Sequence, residues 1–206
     1  MRNHVLCTAC IWLAAIVVSA QNLDYRLMQS LNVNRPKGLD KEFLAVTRSV
    51  GGVTAAVPFT QIGIGLQTGN RDLWQEGIET FGASAAAIGL TVVLKKITDR
   101  PRPYQQYNDL DPVLEASGNS FPSGHAALAF ATATSLSLNH RKWYVVVPVY
   151  TWATGVAYSR VHLGVHYVSD VVAGAALGTG TAWLAHKLRR QVFAPNKMKD
   201  LPPVRF

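Results

Sequence analysis

Long apolar runs separated by short polar segments dominate this chain, and most of them exceed the ~5–6 residues of an ordinary strand. A short amphipathic helix is predicted over residues 23–31, followed by a turn. The longer runs cover residues 49–70, 76–94, 124–138, 143–158 and 166–188. The second of these is rich in alanine and is predicted to be a buried helix. We therefore predict an all-α fold, a helical bundle of about six helices with the active site at one end.

The segment 99–122 interrupts this pattern. It carries five helix-breaking residues, namely Pro101, Pro103, Pro112, Gly118 and Pro122. A loop of this length is uncommon in a compact domain and is often functional. The residues that could carry chemistry lie around this loop, at the ends of the predicted helices.

The first twenty residues are typical of a secretory signal peptide. Arg2 precedes the apolar stretch 5–18, and Val18-Ser19-Ala20 forms a plausible cleavage site. We expect a signal peptide at 1–20 and one domain at 21–206; an uncleaved membrane anchor is the alternative. Both cysteines, Cys7 and Cys10, lie in the signal segment, so no disulfide is expected in the mature chain.

Composition narrows the class of partner. The chain is 49% hydrophobic and 16% charged, whereas about a quarter of the residues in soluble proteins are charged. Its formal net charge of +8 suits nucleic acid, anionic lipid or an anionic substrate. No nucleic-acid-binding motif is present, and we predict no nucleic-acid partner.

His166 and Asp170 are four residues apart, so on one helix they would share a face. The carboxylate could then hold one imidazole nitrogen and leave the other free for nucleophilic attack. Arg160, near the preceding helix end, has a planar fork that suits two phosphate oxygens. A structural His–Asp pair beside a solvated arginine is the alternative.

A second cluster follows Pro122. Ser123 is a good N-cap, Gly124 allows close backbone approach, and the first turn of a helix offers free N–H groups to an anion. His125 in that turn could protonate a leaving oxygen. Lys95 and Arg102 add positive charge nearby. An ordinary capped helix and a basic helix end are the alternatives.

Taken together, these residues resemble the three-part signature of the type 2 phosphatidic acid phosphatase / vanadium haloperoxidase superfamily. The matching positions are Lys95-x6-Arg102-Pro103, Pro122-Ser123-Gly124-His125 and Ser159-Arg160-x5-His166-x3-Asp170. The resemblance implies that His166 is the nucleophile that forms a phosphohistidine, Asp170 its orienting partner and His125 the general acid. It also implies a phosphate cradle, made by Lys95, Arg102, Ser123, Gly124 and Arg160.

Metal binding is the main competing interpretation of the histidines. His162, His166 and Asp170 repeat at a spacing that tempts a zinc assignment. On a helix the outer two would be about 12 Å apart, because each residue rises 1.5 Å. They could not share one ion, so we predict no metal and no cofactor, and His162 is interpreted as a rim or packing residue.

The resemblance implies a metal-independent phosphatase acting on phosphate monoesters or pyrophosphates, with a phosphorylated lipid, an isoprenyl phosphate or a small phosphate ester as substrate. A broad-specificity secreted acid phosphatase and a vanadate-dependent haloperoxidase are alternatives. If the apolar runs span a membrane, the three clusters fall on one side and the basic segments at 71, 140–142 and 187–190 on the other. This pattern favours an inner-membrane protein with a periplasm-facing site; a soluble periplasmic protein is the alternative.

Overall fold

The computed structural model describes residues 23–193, which are helical and contain no strand. The predicted signal peptide lies outside the described residues. The helices are α1 (23–32), α2 (Asp40–Thr68), α3 (Arg71–Thr98), α4 (Pro103–Gln106), α5 (Gly124–Asn139), α6 (Trp143–His162) and α7 (Val168–Val192). Because α4 is a single turn, six helices form the bundle. The prediction of an all-α bundle of about six helices is confirmed.

Helices α2 and α3 form a long hairpin. Gly69 ends α2 at a φ of 68°, in the left-handed region that glycine adopts without strain. The side chain of Asn70 then caps α3 by accepting a hydrogen bond from the Leu73 N–H at 3.2 Å. Pro58 lies inside α2, and the helix continues through it.

Helix α5 occupies the centre of the bundle and packs against α2, α3, α6 and α7. Its contact with α7 is close because the facing residues are glycine and alanine. A Cβ atom at Gly174 or Gly178 would collide with the carbonyl oxygens of Ser123 and Ala127. Small residues at this spacing let two helix backbones approach each other closely.

On α3 the distribution of side chains is inverted relative to a helix of a water-soluble bundle. Large apolar side chains of α3 point outward, including Phe81 at 52% and Ile97 at 72% exposure. Small and polar side chains such as Thr80, Ser84 and Thr91 fill the interior instead. The prediction that 76–94 is a buried helix is therefore only half right: the helix forms, but its bulky apolar side chains lie on the surface of the bundle.

Two stretches are long and apolar enough to cross a membrane, Lys37–Thr68 and Arg71–Gln106. A core helix of a soluble protein can match the same length and composition. A soluble core helix would be mostly buried, whereas only 28% and 39% of the most apolar window of these two stretches is buried inside the bundle. Low burial therefore favours a membrane-facing surface for both stretches.

The up-and-down order of the helices brings six chain segments to one end. They are the start of α2, the end of α3, the loop 99–123, the start of α5, the end of α6 and the start of α7. Every residue of the three sequence clusters lies on one of these segments, except His166, which lies in the loop between α6 and α7 at the same end. The opposite end carries the turns at 69–70 and 140–142 and the end of α7.

Candidate active site

A cavity of about 600 Å³ opens at this end of the bundle. Six residues of the predicted site line it together, namely Lys95, Arg102, Gly124, His125, Arg160 and His166. Exposed Arg48 and Glu115 lie on its rim. The remaining walls are largely apolar and come from Val50, Ile88, Val92, Leu114 and Leu128.

Arg102 is buried, and three backbone carbonyl groups hold its guanidinium. Its guanidinium donates to the carbonyl oxygens of Ser117 at 2.8 Å, Gly118 at 2.9 Å and Val165 at 2.9 Å. Lys95, in the last turn of α3, donates to the carbonyls of Asn119 and Ser120. Neither of these cations has a carboxylate partner among residues 23–193.

Arg160 is the third cation and lies in the last turn of α6, only 3% exposed. Its Nη1 donates to the Thr47 hydroxyl at 2.6 Å, and its buried Nε has no partner among the described residues. A buried charge without a counter-ion is costly. Two buried cations, Arg102 and Arg160, and half-buried Lys95 around one cavity therefore create a site that an anion would complete.

His166 does not lie on a helix, contrary to the prediction that it shares a helix face with Asp170. It belongs to the loop before α7, whose N-cap is Tyr167. Asp170 reaches back from the first turn of α7, and its Oδ2 lies 3.4 Å from His166 Nδ1. The same oxygen accepts the Tyr167 N–H at 3.0 Å. The carboxylate thus caps the helix and contacts the imidazole at once.

The hydrogen-bond partners of His166 indicate its tautomer. Arg102 Nη1 lies 3.3 Å from Nε2, and a guanidinium can only donate. Nε2 is therefore the unprotonated nitrogen, and Nδ1 carries the proton toward Asp170. Burial lowers the pKa of the imidazole to about 3, more than the hydrogen bond to Asp170 raises it. His166 is accordingly neutral at neutral pH, with a lone pair on Nε2.

Three residues that the sequence analysis did not assign complete this arrangement. The Ser120 hydroxyl donates to Asp170 Oδ2 and lies 3.4 Å from His166 Nδ1. Arg100 Nη1 donates to Asp170 Oδ1 at 2.7 Å, and its Nη2 donates to Asp24 Oδ2 at 2.7 Å. The position of Arg100, two residues before Arg102, was a weak sequence indication of a further cation at the site. Nothing in the sequence indicated that Asp24, on α1, would contact this loop.

The start of α5 has the expected form. Ser123 is the N-cap, and its hydroxyl accepts the Ala126 N–H at 3.5 Å. It is fully buried behind the cavity wall, while Gly124 and His125 face the cavity. The predicted role of Ser123 in phosphate binding therefore stays a prediction, since its hydroxyl is occupied by the cap.

His162 lies away from the cavity. Its buried ring contacts Phe43 with centroids 4.3 Å apart, and its Nε2 is 2.8 Å from Asp40 Oδ1. These contacts tie the end of α6 to the start of α2. Within residues 23–193, no three His, Cys, Asp or Glu side chains come together as metal ligands could.

Two curated relatives are similar to parts of this chain. The lipid A 4'-phosphatase of Bacteroides thetaiotaomicron is 35% identical over 105 residues, which is 46% of this chain and 47% of the relative. The undecaprenyl-diphosphatase of Sulfolobus acidocaldarius is 35% identical over 112 residues, 53% of each chain. The chain thus spans about half the length of the curated relatives that it matches.

A solved structure, Aquifex aeolicus LpxE, shares the fold with a TM-score of 0.68 and 26% identity, over 79% of this chain and 93% of that one. The model of the PAP2 superfamily matches residues 77–194. That range covers more than half of the chain and includes all three sequence clusters. The chain therefore belongs to the PAP2 (type 2 phosphatidic acid phosphatase) superfamily, as its sequence signature predicts.

Proposed function

We propose that this protein is a membrane-embedded phosphatase that hydrolyses phosphate monoesters or pyrophosphates of lipid or isoprenyl type through a phosphohistidine on His166. One observation carries the proposal. Three cations without carboxylate partners among the described residues, buried Arg102 and Arg160 and half-buried Lys95, line the same cavity as a neutral imidazole whose Nε2 is unprotonated. A phosphate group supplies the missing negative charge and places its phosphorus beside the nucleophile.

In the first step, Nε2 of His166 attacks phosphorus and the bond to the leaving oxygen breaks. His125, which lines the same cavity, gives its proton to that oxygen. The attacked imidazole keeps its proton on Nδ1 and becomes positively charged, and Asp170 stabilises this charge. Lys95, Arg102 and Arg160 bind the equatorial oxygens, where negative charge is spread in the transition state.

In the second step, water attacks phosphorus, a new phosphorus–oxygen bond forms and the phosphorus–nitrogen bond breaks. His125, now unprotonated, takes a proton from this water, and the electron pair of the broken bond returns to Nε2. Inorganic phosphate leaves and both histidines regain their initial states. The cationic side chains provide the charge neutralisation that a divalent ion provides in other phosphatases.

The outer surface supports a lipid substrate. Apolar side chains of α2 and α3 are exposed, and residues such as Phe59 and Leu66 are more than 60% accessible. The cavity itself has apolar walls between its rim and its cations. The names of the relatives refer to lipid A and undecaprenyl diphosphate, and for this chain both are candidate substrates within the proposed lipid class.

The orientation is proposed from the short basic connections and the end of α7, because exposed basic residues such as Lys41 and Lys96 also lie at the cavity end. Among the described residues, the end of the bundle opposite the cavity carries Arg71, Arg141, Lys142, Lys187 and Arg190, all exposed. By the positive-inside rule this end faces the cytoplasm. The cavity then faces the periplasm, and the protein is proposed to lie in the inner membrane.

The test compares substrates under one set of conditions. Phosphate release by the purified protein in detergent is measured with a long-chain lipid phosphate, an isoprenyl diphosphate and a water-soluble phosphomonoester, with and without EDTA. We expect the highest kcat/KM for a lipid substrate and no loss in EDTA, and His166→Ala serves as the inactive control.

Each alternative has its own outcome. Preference for the water-soluble ester would favour a broad-specificity phosphatase. Dependence on added Mg²⁺ or Zn²⁺ would contradict the metal-independent mechanism. Bromide oxidation supported by vanadate, in place of simple competitive inhibition, would indicate a haloperoxidase.

A further inference from the structure

A second concave surface lies on the outside of the bundle, between α5 and α7. We call it the α5–α7 groove; it has a volume of about 730 Å³. Its lining is almost entirely apolar or small, and includes Phe130, Thr134, Leu138, Val172, Ala176 and Trp183. The groove does not share a residue with the catalytic cavity.

A basic pocket continues the groove at the end of the bundle opposite the active site. This pocket, of about 340 Å³, shares Leu138 and Trp183 with the groove. Its remaining lining is polar or charged, namely Arg141, His186, Lys187, Arg190 and Gln191. Lys187 Nζ lies 5.4 Å from the centre of the Trp183 ring, at the junction of the two cavities.

No carboxylate within residues 23–193 neutralises the charges of this pocket. Among the described residues, Arg141, Lys187 and Arg190 form no ion pair. The neighbouring Arg189 differs, because it is paired with the buried carboxylate of Glu79. Arg141, Lys187 and Arg190 therefore concentrate positive charge at one end of the apolar groove.

The length of the groove suits an acyl chain. Val172 and Trp183, near its two ends, are separated by about 16 Å along α7, at a rise of 1.5 Å per residue. A groove of this length can hold an acyl chain with its headgroup end at the basic pocket, since the hydrocarbon core of a bilayer is about 30 Å thick. Basic pockets between membrane helices at the cytoplasmic side are suited to anionic headgroups.

We propose that the α5–α7 groove and the basic pocket together bind one anionic phospholipid whose headgroup lies at the end of the bundle opposite the active site. Its acyl chain lies along the groove, and its phosphate lies among Arg141, Lys187 and Arg190. Trp183 contacts the lipid where chain and headgroup meet. This inference rests on the proposed membrane embedding, but it concerns a bound lipid and not the substrate.

Fluorescence quenching tests the proposal. The full chain is reconstituted in phosphatidylcholine nanodiscs that contain a fixed fraction of either brominated phosphatidylglycerol or brominated phosphatidylcholine. Tryptophan quenching should be stronger with the anionic lipid, reflecting a preference of about tenfold or more for three basic side chains. The variant Arg141→Gln/Lys187→Gln/Arg190→Gln should lose this excess, as should Trp183→Phe.

A matched control removes charge elsewhere at the same end. Arg71→Gln/Lys142→Gln neutralises two exposed basic side chains that do not line the pocket, and it should keep the excess quenching. An excess that survives in the triple variant, or in Trp183→Phe, would overturn the proposal. If the triple variant or Trp183→Phe changes the oligomeric mass of the protein but keeps the lipid preference, the groove binds a second copy of the chain. That result would also overturn the proposal.

Failure of this proposal is separable from failure of the proposed function. Hydrolysis of a water-soluble phosphomonoester is measured in the same nanodiscs, and the triple variant should remain active. Active protein without lipid preference would overturn only the bound lipid. Wild-type protein that no brominated lipid quenches would contradict the membrane embedding on which both rest.

Discussion

Arg100 connects the orienting carboxylate to the first helix of the bundle. It contacts Asp170 and Asp24 through separate nitrogens, each at 2.7 Å, and its guanidinium lies over the Tyr167 ring at 3.9 Å. It does not line the cavity. We therefore regard Arg100 as a positioning residue that holds Asp170 in the orientation required by His166.

Replacing Arg100 should separate positioning from binding. Arg100→Gln should lower kcat by about 10- to 100-fold, the range seen when partners that orient metal-bound histidines are removed, with KM little changed. Arg100→Lys should recover part of kcat because it retains the charge. Steady-state kinetics measure the split, and Lys96→Gln, an exposed neighbour, is the control. An unchanged kcat in Arg100→Gln would show that Asp170 does not need this contact.

His125 can be tested through the leaving group. If it protonates the leaving oxygen, His125→Ala should lower kcat/KM by about 10²- to 10⁴-fold for an alkyl phosphate. An activated aryl phosphate needs little protonation, and its hydrolysis should be much less affected. Equal losses with both substrates would show that His125 binds the phosphate and does not act as the acid.

At the scale of elements, the contact between α5 and α7 sets the geometry of the site. Gly174 lies against Ser123, the N-cap of α5, and Gly178 lies against Ala127 one turn later. The Asp170 carbonyl also accepts the Ser123 N–H at 2.9 Å. The start of α7, which carries the orienting carboxylate, is thereby fixed to the start of α5, which carries His125.

A single methyl group should disturb this contact. Gly178→Ala places a Cβ against the Ala127 carbonyl and should lower the free energy of unfolding by about 1–3 kcal/mol, as overpacked cores do. Gly180→Ala on the same helix meets no atom within 4 Å, so it should be neutral or slightly stabilising. Thermal melting in detergent compares the two variants; equal melting temperatures would contradict the close packing.

Helix positions could be predicted from the sequence because each apolar run was longer than a strand and ended at a turn signal. The geometry of His166 and Asp170 could not. A spacing of four residues does not say whether the helix begins before or after the histidine, and Tyr167 is not a typical N-cap. Partners such as Asp24 and Thr47 depend on helices that are distant in sequence, which local patterns do not report.

Which side of α3 faces the interior of the bundle also could not be predicted from the sequence. An apolar helix rich in alanine fits a protein core and a bilayer equally well. Only the packing shows that Thr80, Ser84 and Thr91 point inward while Phe81 and Ile97 point outward. The buried polar face is used by hydrogen bonds such as that between Thr80 and Ser135, at 2.8 Å.

For the whole molecule, the exposed apolar surface predicts that the protein cannot be released from membranes as a soluble protein. After extraction of membranes with high salt or carbonate, the chain should remain in the pellet and require detergent. Peripheral proteins are released by the same treatment and serve as the control. Recovery of folded, active protein in the carbonate supernatant would contradict the spanning arrangement and favour a soluble periplasmic enzyme.

The central claim is that His166 carries the phosphoryl group during turnover. Rapid quench with a radiolabelled substrate should trap an acid-labile phosphoenzyme in the wild-type protein. His166→Ala should form none, whereas His162→Ala should form it, because His162 contacts Asp40 and lies outside the cavity. A phosphoenzyme that persists in His166→Ala and disappears in His162→Ala would contradict the assignment of the nucleophile.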